Sequence, residues 1–493
     1  MTGSTGPLHR PAPHHNEVAT RFYEHSSAPR TNTDTVIVEA IRSEYPNLHL
    51  SVVPQGRLNL LSYSAAGHAS VAPIDDPKDR LTWKQFLPAR SRLSGQRGAL
   101  YEEVKLGKYL LDWRSKEFVV YIVDGRDGSG PWPEQINQYI LSSSVEATNN
   151  LLFQVGVWAN ELHDEIYVFD QGYWQKSHEL WESVQKAQWD DVILDQAMKD
   201  AIINDVTTFF DSRDTYEKLK VPWKRGIIYY GPPGNGKTIS IKAMMNSLNR
   251  RKEPVPTLYV KTLASFGGPE YSINSIFTMA RRTAPCYLVF EDLDSIVSDN
   301  VRSYFLNAVD GIQKNDGILM VGSTNHLDRL DPGIAKRPSR FDRKYLFPNP
   351  DEKEREAYMH FWQTKQKDND ELEFPDKLCP AIARITDGFS FAYLQEAMVA
   401  SLLAIAHNGE KHSDARVCLE CMSVHDNSSA IDLEARVCRQ QSVRVFKGLY
   451  EWVWEVRQVD DSDKDLENYV LWREVKKQVR MLREQLGETT PEK

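Results

Sequence analysis

Eight consecutive residues, Gly231-Pro232-Pro233-Gly234-Asn235-Gly236-Lys237-Thr238, restrict this chain more than any other stretch of it. They fit the pattern G-x-x-x-x-G-K-[ST] without a gap. An apolar run at 227–230 leads in and a helical pattern beginning at Ile239 leads out. The loop is therefore expected between a strand and a helix. Glycines let backbone N–H groups turn inward around phosphate oxygens, and the helix that follows adds the positive end of its dipole. Lys237 can neutralise β- and γ-phosphate charge, and Thr238 can ligate Mg2+. The expected ligand is Mg-ATP.

A second segment points the same way. Residues 286–290 form a buried-strand pattern that ends in Glu291-Asp292-Leu293-Asp294. Acidic residues at the carboxyl end of a parallel strand stand beside such a loop in an open α/β sheet. Glu291 is expected to support the metal, and Asp292 to position or deprotonate the attacking water.

The segments around these motifs alternate between short apolar runs and helical stretches: GIIYY, TLYVK, CYLVFED, ILMVGSTN and KYLF. That rhythm predicts a parallel sheet with crossover helices. Upstream, TVIVEAI, EFVVYIVD and EIYVF read as strands, while LLFQVGVWANELHDE and HELWESVQ read as helices. The expected organisation is a tail over 1–33, an α+β accessory domain over 34–186 and a P-loop α/β core over 187–350. A helical lid with a polar insertion follows over 351–458, then a C-terminal helix and tail over 459–493. Within the lid, residues 407–429 read as a loop and 431–458 as a further helix.

Composition narrows the function. A formal net charge of -9 opposes general nucleic-acid binding, which needs a basic face to displace phosphate counterions, so a nucleic-acid motor is disfavoured. Five cysteines spread over 493 residues suit a reducing compartment. No run reaches the roughly 20 apolar residues of a membrane span. The expected location is intracellular, cytoplasmic or nuclear. Arg10, Arg21 and Arg30 would fit a mitochondrial presequence, but Glu17 and Glu24 interrupt it.

With these residues in place, the stretch 188–407 resembles the AAA family of ATPases. Residues 231–238 look like its Walker A motif and 288–294 like its Walker B motif. Asp191 and Val192 fall in a segment resembling the one whose backbone holds adenine, and Ile239 and Gly388 complete the nucleotide-contacting set that the resemblance implies. Asn325 stands where the family places its sensor-1 residue. Leu330-Asp331-Pro332 and 337–343 match the second region of homology, which makes Arg337 and Arg340 the candidate arginine fingers. The resemblance implies ATP hydrolysis by a ring homo-oligomer, a hexamer or heptamer, in which the fingers act on the neighbouring subunit's nucleotide. It also implies remodelling of a protein client, whose identity is open.

Departures are informative. The family usually reads Asp-Glu where this chain has Glu291-Asp292. That order, with Thr324-Asn325-His326 and Leu330-Asp331-Pro332, resembles the Bcs-type branch, here without its membrane anchor. A nucleotide-gated scaffold with weak turnover is the competing expectation. Phe266 is either a pore residue that grips polypeptide or a core residue. Cys418, Cys421, His425 and Cys438 lack the paired spacing of a zinc finger. Trp472, Val475, Val479, Leu482 and Leu486 form an apolar seam about two heptads long, expected to dock on the chain's own lid or on an adjacent subunit.

Overall fold

A computed structural model describes residues 32–56, 58–89, 97–125, 136–297, 299–310, 314–335, 337, 340–369, 372–422 and 461–486, with a few positions between 21 and 29. The chain divides into two compact units, Met1–His163 and Asp164–Lys493.

The first unit contains α1 (Thr33–Glu44), β1 (His49–Pro54), α2 (Leu60–Ala65), β2 (Ser70–Pro73) and β3 (Leu81–Leu87). It continues with β4 (Ala99–Trp113), β5 (Lys116–Asp124), β6 (Ile136–Ser142) and α3 (Val145–Asn160). The strands form an antiparallel sheet in the order β1-β6-β5-β4-β2, with β3 also paired to β4. Strand periodicity sends Phe118, Val120 and Ile122 to one face, where they bury against Leu60, Leu151 and Val155 of α2 and α3. Val123, Tyr139 and Leu141 pack against Ile41 of α1 on the other.

One strand expectation is corrected here. The segment TVIVEAI is helical and lies within α1. The Asn32 side chain caps the helix by accepting the Thr35 N–H at 2.9 Å, a cap worth about 1 kcal/mol. Helical spacing then places Ile37, Val38 and Ile41 on one side, where they join the cluster with Tyr139. β-Branched residues lose only a few tenths of a kcal/mol each in a helix, less than burial returns.

The second unit opens with β7 (Ile166–Asp170), β8 (Tyr173–Ser177) and α4 (His178–Gln185), then a 3-10 turn at Trp189–Asp191, α5 (Gln196–Asp211) and α6 (Arg213–Leu219). There follow β9 (Lys224–Tyr230), α7 (Lys237–Asn249), β10 (Thr257–Val260), α8 (Gly268–Thr283), β11 (Cys286–Phe290), α9 (Leu293–Ile296) and α10 (Asp299–Asp310). The α/β part closes with β12 (Ile318–Thr324), α11 (Pro332–Ala335) and β13 (Arg343–Leu346). These strands form one sheet, β13-β9-β12-β11-β10-β7-β8, parallel except for the last pair. β7 pairs with β10, placing Phe169 beside Val260. The boundary between units therefore falls after His163 and not near residue 186: EIYVF, read as part of the accessory domain, belongs to the second sheet.

Both faces of this sheet are covered. Leu258, Val260, Leu288 and Phe290 pack under α8 and α10, while Ile227, Tyr229, Val289 and Val321 pack under α5 and α7. The carboxyl ends of β9, β11 and β12 lie side by side, so the residues that follow each strand gather at one edge.

The remaining helices share a separate core. α12 (Glu352–Lys365) starts in a capping box made by Asp351 and Glu354. α13 (Leu378–Ile385), α14 (Phe391–Met422), a 3-10 turn at Asp461–Asn468 and α15 (Val470–Gln485) follow. The backbone stays helical through Met422, so the expected loop does not begin at residue 407. His425, Cys438 and the helix expected over 431–458 lie outside the described residues. Trp472, Val475, Val479 and Leu482 pack with Met359, Leu378, Phe389 and Met398 of this same chain. The apolar seam thus docks on its own helical domain, and the Arg483 guanidinium donates to the Ile385 and Asp387 carbonyls. Trp472→Ala should cost about 3 kcal/mol through the cavity it leaves. Thermal melting with hydrogen exchange should show protection lost first in α13–α15; an unchanged melt would mean that α15 is not part of this core.

Candidate nucleotide site

The loop from Gly231 to Gly236 joins β9 to α7. Gly231 has φ +139°, and a Cβ there would lie 2.2 Å from the Phe347 carbonyl oxygen, so only glycine fits. The Lys237 ammonium is buried in the loop, donating to the Gly231 carbonyl at 2.7 Å and the Pro232 carbonyl at 2.8 Å. Burial holds its pKa below the ordinary lysine range, with Asp292 and Asp294 pulling the other way.

In front of this loop lies a cleft of about 570 Å³. It gathers Asp191, Val192, Pro233, Gly234, Gly236, Lys237, Thr238 and Ile239 together with Asp292, Ser323 and Asn325. Four of the expected contacts, Gly231, Pro232, Asn235 and Gly388, are not among the residues that line it. Asn235 is buried and donates from its amide to Asn349 Oδ1 at 2.9 Å, while its Oδ1 accepts the Phe391 N–H at 3.4 Å. Gly388 does not line the cleft; its carbonyl accepts a bond from Asn349 Nδ2 at 3.1 Å.

The far wall carries no motif in the sequence. Tyr358, Phe361, Trp362 and Lys365 of α12, with Phe391, Ala392 and Gln395 of α14, complete the cleft. Their spacing on α12, i, i+3, i+4 and i+7, is one helix face. That signal is visible in the sequence, but its use as a cleft wall depends on tertiary packing. The Ala392 N–H donates to the Gly234 carbonyl at 3.1 Å, which ties this wall directly to the loop.

The two acids after β11 diverge. Asp292 has left-handed backbone (φ 51°, ψ 53°) and donates its N–H to Ser323 Oγ at 3.2 Å. It borders the cleft and also lines a second cleft beside it. Glu291 does not border the first. Its Oε2 accepts the hydroxyl of Tyr259, its Oε1 is buried without a hydrogen-bond partner, and it lines the second cleft with Lys261, Thr262 and Ser265. Asp294 accepts from Thr324 Oγ1 at 2.7 Å, and Thr324 Oγ1 accepts the His326 N–H at 3.0 Å, which pins the turn carrying Asn325.

The two arginines also differ. Arg340 Nη2 lies 2.7 Å from Asp310 Oδ2, its Nη1 donates to the Gly333 carbonyl at 2.6 Å, and only 6% of its side chain is exposed. Arg337 reaches the same Asp310 oxygen at 3.3 Å but is 58% exposed. The Arg340 guanidinium beside Asp310 holds that carboxyl below its ordinary range. Phe266 is completely exposed, which removes the core alternative for it. No helix among the described residues is long and apolar enough to cross a membrane.

A nucleotide-sized cleft framed by a phosphate-type loop, a carboxylate and an asparagine is the arrangement expected of a nucleoside-triphosphatase, and the family comparison agrees. Residues 227–349 match the family described as "ATPase family associated with various cellular activities (AAA)", so this chain carries an AAA domain with the P-loop NTPase α/β fold.

Proposed function

We propose that the protein binds and hydrolyses ATP as an oligomeric AAA ATPase that remodels a protein client. The convergence of Lys237, Thr238, Asp292 and Asn325 on one cleft is the observation that carries this reading. Lys237 and the loop N–H groups bind phosphate, Asp292 orients and takes a proton from the attacking water, and Asn325 reads the γ-phosphate. The adenine end lies between Asp191–Val192 and the aromatic wall of α12 and α14. Mg2+ fits the donors that border the cleft, Thr238 and Asp292. When bound, the ion supplies charge neutralisation on the phosphates.

Arg337, exposed and anchored through Asp310, is the group available to a neighbouring subunit. Phe266, fully exposed on the loop after β10, suits contact with an extended polypeptide. The buried free thiols Cys286 and Cys379 are compatible with a reducing compartment. The Glu291-Asp292 order with Thr324-Asn325-His326 favours the Bcs-type branch of the family.

The direct test is steady-state ATPase rate against protein concentration. Specific activity should rise as subunits assemble and then level off. Tight ATP binding with negligible turnover at every concentration would replace this reading with a nucleotide-gated scaffold. The place of Glu291, bonded to Tyr259 and outside the nucleotide cleft, is what favours that second reading.

A further inference from the structure

β3 and the first half of β4 form a ribbon that leaves the sheet of the first unit. β4 meets β5 only from Leu106 onward and β2 only from Tyr109 onward, so among the described residues 99–105 pair with β3 alone. A free two-stranded ribbon has no core of its own and is marginal in water. Natural edges of this kind usually carry charge; the end of this one is apolar.

The register places its side chains. Phe86 lies opposite Leu100, and Leu87 opposite Ala99. Successive strand residues face opposite ways, so Phe86 and Leu100 share one face while Leu87 and Tyr101 share the other. Phe86 is 61%, Leu87 58% and Leu100 72% exposed. The tip is therefore apolar on both faces. A flat protein surface would cover one face of such a ribbon, whereas a fluid apolar layer takes in both. Polarity rises away from the tip. Lys84 pairs with Glu102 at 3.8 Å on the first face, and Lys105 with Glu103 at 2.7 Å on the second. Tyr101, whose hydroxyl donates to Gln85 Oε1 at 3.0 Å, and Trp83, exposed beside Lys105, stand at the transition. Tyrosine and tryptophan are the side chains that collect where hydrocarbon meets water. Charge points the same way. Residues 88–98, which join the two strands in sequence, include Arg90, Arg92 and Arg97 and no acid, in a chain of net charge -9.

We propose that the tip of this ribbon docks on an anionic bilayer surface: Phe86, Leu87 and Leu100 enter the boundary between headgroups and acyl chains, and Arg97 lies among the headgroups. Insertion is shallow, within the roughly 5–10 Å of an interfacial anchor. Among the described residues β3 pairs only with β4, so its outer edge keeps backbone groups that cannot enter hydrocarbon. This contact is independent of the nucleotide cleft.

The test is sedimentation of the full chain with phosphatidylcholine vesicles and with mixed phosphatidylcholine–phosphatidylserine vesicles, beside melting temperature and light scattering without lipid. Wild type should partition mainly onto the mixed vesicles. Phe86→Ser combined with Leu100→Ser should weaken that binding by at least about tenfold. Arg97→Ala should weaken it about fivefold, the equivalent of one basic residue at an anionic surface. Melting temperatures should not change. A dye at Leu100→Cys, in a Cys418→Ser, Cys421→Ser, Cys438→Ser background, should shift to the blue on the mixed vesicles, which reads insertion even if the double variant is less stable. Wild type that stays in the supernatant, or sediments equally with neutral lipid, would overturn the proposal. So would full binding by the double variant, or a dye that does not shift. An assembly that shrinks in the double variant without lipid would assign the tip to a second copy of this chain and likewise overturn it.

Discussion

Arg337→Ala should lower ATP turnover by about a thousandfold or more, the range associated with an arginine supplied to a γ-phosphoryl transition state, while melting temperature and ATP affinity stay at wild-type values. The reason lies in the contrast between the two candidate fingers. Arg337 is more than half exposed, so its removal leaves no cavity and no buried orphan. Arg340 is 6% exposed and tied to Asp310 and the Gly333 carbonyl. Arg340→Ala should instead cost about 2 kcal/mol of stability, because it removes a nearly buried guanidinium and leaves the Gly333 carbonyl without this donor, while Asp310 keeps only the longer contact with Arg337. It should lower activity through the fold and through the loss of Asp310 as a properly held anchor for Arg337. Mixing supplies the decisive control. A subunit lacking Arg337 retains its own loop, and a Lys237→Ala subunit retains its finger. If Arg337 works across a subunit boundary, the two inactive proteins should recover part of the wild-type rate together. No recovery, or a fully active Arg337→Ala protein, would remove Arg337 from the reaction.

The elements read most directly from the sequence are those whose pattern is local. β9, β10, β11 and β12 are short, apolar on both faces and punctuated by glycine or acid, so their existence and parallel arrangement follow from the run of residues alone. The loop at Gly231 and its two flanks were legible for the same reason. What the sequence could not show depends on partners distant along the chain. TVIVEAI has strand-like composition, and only the Asn32 cap and the cluster with Tyr139 and Leu141 make it a helix. EIYVF reads as a strand in either unit; its pairing with β10 assigns it to the second. The cleft wall of Tyr358, Phe361 and Trp362 is an amphipathic helix face like many others until α12 is seen beside the loop. The division of labour between Glu291 and Asp292 required seeing Tyr259, thirty-two positions before Glu291, with its hydroxyl on that carboxylate.

Asp292→Asn should reduce turnover by about 100- to 10,000-fold, the usual contribution of a positioned general base, while ATP remains bound. The substitution is unusually clean here. Asp292 sits in left-handed backbone, a conformation asparagine tolerates as well as aspartate, and its tie to Ser323 is made by the backbone N–H, which the change does not touch. The loop glycines, Lys237 and Thr238 keep their places, so binding loses none of its phosphate contacts. What disappears is a basic carboxylate at the edge of the cleft. Single-turnover hydrolysis of prebound ATP, measured beside equilibrium binding, separates the two readings of the protein. A hydrolysing motor should stall with ATP in place, and any client-directed activity should stop with it. A scaffold gated by occupancy should behave as wild type does, because its output depends on the filled cleft and not on the water attacking within it. A rate that survives Asp292→Asn would also show that the base lies elsewhere, and the acid next to it, Glu291, is held by Tyr259 away from this cleft.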